Sequence, residues 1–297
     1  MITKPTLATD FNESKLAFPY LAMPKIDGVR GINITGTITG RSLKPFPNTI
    51  IQSIFSDSYG FDGELTYGSI TSQSLCRSTT SVVNTHSDTR AHSLVYNLFD
   101  YITPDTCTLP YSKRYSTLSS LSLPPNCTVI PTTFISSLDE LSSYESLIIS
   151  QGYEGVILRS PTSLPKSGRT TLRENSYLRI KRFIQEDAVV LSIAEALENT
   201  NPQTINELGN STRSTHQANL VPKSMLGSII CQDIKSGNII TVSSGEMSHE
   251  LRSHYWHNQS QLIGKVISYK HFPHGVKDKP RFPTFVTIRD ASDLVQG

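Results

Sequence analysis

Between residues 18 and 41 apolar side chains alternate with Thr, Asn and Gly, through Val29, Ile32, Ile34 and Ile38. A period of two commits this stretch to short antiparallel strands, with a turn near Gly36-Thr37. The first of them runs through the apolar residues 20–24 and ends on Lys25, ahead of Ile26-Asp27-Gly28-Val29-Arg30-Gly31. A strand-end lysine before an Asp-Gly turn has an ordinary reading, a solvated amine beside a hairpin. It also has a chemical one. Free lysine titrates at roughly 10.4, and burial with a guanidinium such as Arg30 nearby favours the neutral, nucleophilic amine. Gly28 allows a tight turn or a close approach of backbone to phosphate, while Asp27 can orient the amine or hold a metal ion.

Further along, Phe61-Asp62-Gly63-Glu64-Leu65-Thr66-Tyr67 reads as a turn entering a strand, with Glu64 and Leu65 on opposite faces. Residues 94–101 form another strand, with Asp100 near its end as either a turn residue or a working carboxylate. Glu154 and Gly155 stand directly before a third buried strand. Residues 177–183 alternate strictly, so Arg179 and Lys181 share a face. Two adjacent cations need an anion between them, and phosphate is the economical choice. Two prolines make residues 40–47 a rigid loop carrying Arg41 and Lys44, and a polar loop at 161–175 carries Lys166, Arg169 and Arg173. Helices are expected at 48–55, capped by Asn48, and at 138–151, stopped by Gly152, with a Ser-, Thr- and Pro-rich connector over 111–137.

The texture changes after Phe183. Short strands at 187–193, 227–234, 238–243 and 264–269 follow the pattern of a small all-β barrel, so the 297 residues read as two domains. Residues 198–222 are too polar for a core and read as a structureless insert, functional or disordered. A helix at 248–260 should turn Leu251 and Tyr255 or Trp256 inward. The spacing of His254 with His257 and His271 with His274 permits metal pairs, but surface histidines are the simpler reading. Cys76, Cys107, Cys127 and Cys231 lack a CxxC partner and read as reduced packing residues. There is no 18-residue apolar run and no apolar leader, which predicts a cytoplasmic protein with no membrane partner. With 27 basic and 25 acidic side chains, net charge does not announce nucleic acid. The local group Lys265, Lys270, Lys277, Lys279, Arg281 and Arg289 does suggest a phosphate-tracking face.

Together these residues suit attack on a nucleotide α-phosphate: an amine, carboxylates for a divalent metal, and cations to absorb charge as pyrophosphate leaves. Their order resembles the motif series of the covalent nucleotidyltransferases, and within them the minimal ATP-dependent DNA ligases. Lys25-Ile26-Asp27-Gly28-Val29-Arg30 is similar to the family's KxDGxR signature, and Gly40-Arg41-Ser42 to its arginine loop. Asp62-Gly63-Glu64, Phe99-Asp100, Glu154-Gly155-Val156 and Arg179-Ile180-Lys181 follow in the family's order, with Arg179 where a lysine is usual. The resemblance implies an α+β fold, an antiparallel-sheet nucleotidyltransferase (adenylation) domain over 1–182 followed by an all-β OB-fold domain over 183–297. The insert at 198–222 would then be a latch that clamps DNA. It also implies that Lys25 takes AMP from ATP, that Phe99 stacks on adenine and that Glu64 contacts ribose or metal. Glu154, with Asp27 and Glu64, would serve Mg2+, and Lys181 with Arg179 would neutralise the α-phosphate. Arg30, Arg41 and Arg169 would grip the 5′-phosphate of a nick, Lys44, Arg173 and Arg281 would add to the DNA face, and Arg289 and Asp293 would help pyrophosphate depart. The implied protein is a monomer without an obligate protein partner, sealing nicked duplex DNA in repair, replication or recombination. An RNA ligase, an RNA-capping guanylyltransferase and an inert OB-containing nucleic-acid-binding protein are the alternatives.

Overall fold

The computed structural model describes residues 4–272 and 279–289. These divide into two compact units between Lys181 and Arg182. The strands of the first unit are β1 (Thr6–Leu7), β2 (Thr9–Asp10), β3 (Tyr20–Lys25), β4 (Val29–Ile32), β5 (Phe61–Thr66), β6 (Val95–Tyr101), β7 (Cys127–Val129), β8 (Thr133–Ile135), β9 (Gly155–Arg159), β10 (Gly168–Arg169) and β11 (Tyr177–Ile180). They build one sheet in the order β2-β11-β9-β3-β8 and a second in the order β4-β5-β6-β7, with β1 and β10 paired beside them.

Side-chain alternation decides which faces meet. Tyr20 and Ala22 of β3, Val156 and Leu158 of β9, and Leu178 and Ile180 of β11 pack against the helix α4 (Leu138–Ser150). On the second sheet Leu65, Tyr96 and Leu98 pack outward with Ile51 of α1 (Ile50–Ile54) and Val82 of α2 (Leu75–Asn84). The opposite faces turn toward each other, where Met23, Ile157 and Phe99 share a cluster. Lys25, Arg159, Arg179 and Lys181 follow the same parity as Met23 and Ile157, and so point between the sheets. In β6 the pairing with β5 slips: Asp62 lies opposite Asp100 but Gly63 opposite Leu98. Phe99 is the extra residue of a β-bulge, which lets Phe99 and Asp100 both serve the inner face.

The capping position of α1 is Thr49, whose side chain makes no cap bond, and Asn48, the residue before it, supplies one instead. Asn48 Oδ1 accepts from the Ile50 N–H at 3.1 Å, and Ser137 Oγ accepts from the Glu140 N–H at 3.2 Å. The stretch 111–137 is no mere connector: it holds α3 (Tyr111–Ser120) as well as β7 and β8. Tyr111, Arg114 and Leu118 are buried at helical spacing, and that burial overrides the low helix propensity of the Ser and Thr between them.

The second unit is a closed barrel of β12 (Ile184–Asn199), β15 (Leu220–Asp233), β16 (Ile239–Ser243), β18 (Arg281–Ile288) and β17 (Val266–Phe272), with β13 (Gln203–Ile205) and β14 (Ser211–Arg213) as a separate hairpin. Ala188, Val190, Ile229, Cys231, Ile240, Val242 and Ile267 fill it. β18, which closes the barrel, is masked in the sequence by Arg281 and Pro283 within it. The insert is not structureless. β12 and β15 stay paired out to Asn199 and Leu220, and β13 and β14 continue beyond them. Polar bonds replace an apolar core there: the Asn201 amide donates to the Ser214 carbonyl at 3.0 Å and the His216 carbonyl at 2.9 Å.

Two smaller expectations need correction. In α5 (His249–His257) Tyr255 packs on the barrel core, but Leu251 is exposed, because Arg252 takes the inward turn and donates to the Leu226 carbonyl at 2.8 Å. His271 is buried rather than at the surface, stacked on Tyr269 with its Nε2 2.8 Å from Glu186 Oε2. Its place on β17, two residues from the inward Tyr269, explains this. His274 lies outside the described residues.

Candidate active site

Lys25 is the last residue of β3, and its partner in register is Gly155, the first residue of β9. That places Glu154 beside the amine: the main chain of Glu154 donates to the Lys25 carbonyl at 3.2 Å, and its carboxylate accepts from Lys25 Nζ through Oε2. The other carboxylate oxygen, Oε1, accepts from Lys181 Nζ. A single acid thus bridges two lysines. The Glu154 side chain is 1% exposed, whereas the lysines keep 22% and 14% of theirs, so the amines sit at the mouth of the site and the acid at its floor. Gly155 is required for this closeness: a Cβ there would stand 2.2 Å from the Ile180 carbonyl oxygen of the adjoining strand.

The second sheet supplies the facing wall. Gly28 passes so near β5 that a Cβ would meet the Leu65 carbonyl oxygen at 2.3 Å and Glu64 Cγ at 2.8 Å. Glu64 is thereby enclosed, and burial pushes its carboxyl up to about 7 despite the neighbouring Lys25 and Arg30 cations. Asp27 is buried in the turn, and it and Glu154 are each close enough to Glu64 for their charges to raise the Glu64 carboxyl further. Arg30 is held by Asp62 through two hydrogen bonds, 2.5 Å from Nε and 2.7 Å from Nη2, and lies 4.6 Å over the Phe99 ring. Phe99 itself is 7% exposed.

The remaining cations divide. Arg179 is taken by Asp10 of β2, at 2.5 Å from Nε and 3.1 Å from Nη2, and this pair holds the Asp10 carboxyl below its ordinary range. The anion beside each of the paired cations is therefore supplied by the chain, Asp10 for Arg179 and Glu154 for Lys181. Arg169 donates to the Ala8 carbonyl. Arg41, Lys44 and Arg173 are exposed on their loops, with the first loop tied by the Gly40 N–H to the Lys44 carbonyl at 3.1 Å. In the second unit Arg281 lies 5.5 Å from the Phe282 ring, and Arg289 pairs with Asp187 at 3.0 Å. Asp293 lies outside the described residues.

Asp62 could have been found from the sequence, since it stands two residues before Glu64 on the same strand face. Asp10 carries no local signal. Asp100, which the sequence allows as a turn residue or a working carboxylate, is instead buried and taken by Arg114 at 2.8 and 2.9 Å and by Arg159 at 2.8 Å. Arg159 lies between the Tyr111 and Tyr177 rings at 4.3 and 4.1 Å.

Among the described residues no three His, Cys, Asp or Glu side chains are grouped as a ready metal site. Magnesium asks for less, one or two carboxylates completed by substrate phosphates and water. Glu64 and Glu154 fit that description.

Comparison with known proteins extends the picture. Residues 220–289 match the family model described as DNA ligase OB-like domain. No curated protein sequence matches the chain. Among solved structures, the DNA ligase-adenylate of Chlorella virus is 27% identical, with 97% of this chain and all of that one covered at a TM-score of 0.53. A further crystal structure of Chlorella virus DNA ligase-adenylate gives 28% identity at a TM-score of 0.53, with 98% of this chain and 99% of that one covered. A Lig E DNA ligase described as a minimal scaffold superposes with a TM-score of 0.74 over 97% of this chain and 100% of that one, and at 18% identity it speaks for the fold alone. In both its domains, an antiparallel-sheet nucleotidyltransferase unit followed by an OB barrel, the chain is similar to the minimal ATP-dependent DNA ligases of the covalent nucleotidyltransferase superfamily.

Proposed function

We propose that the protein is an ATP-dependent DNA ligase that seals 3′-hydroxyl/5′-phosphate nicks in duplex DNA through a lysyl-AMP intermediate. The observation that carries this reading is the bridge from Lys25 through Glu154 to Lys181. It sets an amine, a proton acceptor and a second cation within one contact of each other, the needs of attack on an α-phosphate. The Lys25 nitrogen forms a bond to the α-phosphorus of ATP as the bond to pyrophosphate breaks. An oxygen of the nick's 5′-phosphate then attacks that phosphorus, the P–N bond breaks, and the amine is regenerated. Finally the 3′-hydroxyl attacks the 5′-phosphorus and AMP departs, leaving a phosphodiester.

Lys181 would take charge from the α-phosphate, and Phe99, with Arg30 over its ring, would be a planar wall for the base. Glu64 and Glu154 would hold Mg2+, which neutralises phosphate charge when bound. In the second unit the β13–β14 hairpin would act as the DNA-clamping latch, and Arg281 would add to the phosphate-facing surface. Arg289 and Asp293 would assist release of pyrophosphate.

Intact mass after incubation with magnesium and, separately, ATP, GTP or NAD tests the reading. One AMP gained from ATP alone, and lost on adding nicked duplex DNA, is the expected result. A gain from GTP would indicate a capping guanylyltransferase, and discharge onto nicked RNA in preference to DNA an RNA ligase. No gain from any donor, in protein stripped of AMP with pyrophosphate, would leave an inert nucleic-acid-binding protein.

A further inference from the structure

The extended segment from Pro5 to Phe11 has two edges that do different things. On one edge the Pro5 and Leu7 carbonyls accept from the Gly168 and Thr170 N–H groups at 3.2 and 2.9 Å, which fixes the segment to the sheet. On the other, the Thr6 carbonyl accepts from Arg30 Nη2 at 3.3 Å and the Ala8 carbonyl from Arg169 Nη1. Two residues on, the Asp10 carboxylate takes Arg179, its partner in register on β11, and the Phe11 N–H donates to the Arg179 carbonyl at 3.1 Å. The acceptors thus stand on alternate residues of one short segment, the main-chain carbonyls of Thr6 and Ala8 and then the side-chain carboxylate of Asp10. Three arginines, from β4, β10 and β11, are thereby drawn to one five-residue stretch. Asp10 uses Nε and Nη2 of Arg179, which leaves Nη1 with its two donors for another acceptor.

We propose that residues 6–10 are a strap that aligns Arg30, Arg169 and Arg179 on the nick's 5′-phosphate, with Asp10 as the positioning residue for Arg179. The inference rests on the ligase reading and refines it. It moves Arg179 from the α-phosphate, where Lys181 alone remains with Glu154, to the group that reads the DNA end. It also explains how an arginine can stand in the place of a lysine: a fork held at two points by a carboxylate keeps a fixed direction, which a single ammonium would not.

The test is equilibrium binding of nicked duplexes that differ only in a 5′-phosphate or a 5′-hydroxyl at the nick, without ATP. It needs no covalent chemistry and so is separate from the adduct measurement above. Wild-type protein should prefer the 5′-phosphate, and Asp10→Ala should lose about five- to tenfold of that preference, the scale of a charge-assisted hydrogen-bond pair. Asp10→Glu should restore most of it, and in an Arg179→Ala background Asp10→Ala should change nothing further. Self-adenylylation of Asp10→Ala should fall less than the 5′-phosphate preference, since Asp10 pairs with Arg179 and feels Lys181 of the bridge more weakly than it feels Arg179. Unchanged preference in Asp10→Ala, tighter binding by it, equal loss on both nicks, or a wild-type protein blind to the 5′ group would each overturn the strap. A wild-type protein that takes no AMP while these binding results hold would overturn the ligase reading and leave the strap standing.

Discussion

Glu154 and Asp100 are both buried acids in the first unit, each 1% exposed and each held between two cations. Their partners differ in kind. Asp100 lies between Arg114 and Arg159, themselves 0% and 2% exposed, and all three are closed off from water. Glu154 lies between two lysines that reach the surface. An arginine stays charged under all ordinary conditions and grips in a plane, so the first arrangement can only hold. A lysine can surrender its proton and become a nucleophile, so the second can react. One device, an acid between two bases, is a structural clasp at one point and, on the ligase reading proposed above, chemical equipment at the other, and the choice of base and its exposure make the difference.

Exchanging the base is the hardest blow to that comparison. Lys25→Arg keeps the charge and should abolish the AMP adduct altogether by intact mass, while a nick that already carries AMP is still sealed, since only the first step uses the amine. Equal loss on both substrates would mean that Lys25 is not the nucleophile. At the clasp the effect should fall on stability instead. Asp100→Ala strands two buried guanidinium groups and should lower the unfolding free energy by about 3–5 kcal/mol in urea titrations.

Glu64 tests the opening of the site to protons. Its carboxyl is raised by burial from 4.5 to about 7, so the folded state favours the protonated form. The stability it contributes is complete below its ordinary value and is lost as the pH rises through about 7. Glu64→Gln should therefore gain on wild type between about pH 5 and about pH 8, by roughly 1–3 kcal/mol, and urea midpoints at the two values would show it. The smallest effect on stability belongs to Glu154→Gln. Its lysines can turn to water, so the unfolding free energy should fall by only about 1 kcal/mol, while AMP transfer to Lys25 slows severely in single-turnover assays.

How much of this was legible follows from where partners come from. The Lys25 turn, Glu64, Glu154 and Lys181 announce themselves because each lies in or beside a short apolar strand, the first three with a glycine close by. Arg114 and Asp10 do not, because their importance depends on strands and helices brought from elsewhere in the chain. α3 escaped notice because its buried face is carried by Tyr111, Arg114 and Leu118 within a Ser- and Thr-rich sequence. β18 escaped because its residues fall in the basic group read as a phosphate-tracking face and carry Pro283 within the strand, which lies at the closing seam of the barrel and pairs with β16 at Ser243 and Thr284. The same cause hid the burial of His271, whose partner Glu186 is on β12, the neighbouring strand of the barrel.

The slipped pairing at Phe99 gives strand length a meaning that composition lacks. Removing one residue there would restore an even ladder and send either Phe99 or Asp100 to the helix-covered face, exchanging a base-sized wall or a buried clasp for a charge in an oily core. No point substitution in β6 can do the same. Relatives built on this plan should therefore tolerate changes of side chain along the strand far better than a change of one in its count, and a library of single-residue deletions across β6 would be expected to yield no folded, active members.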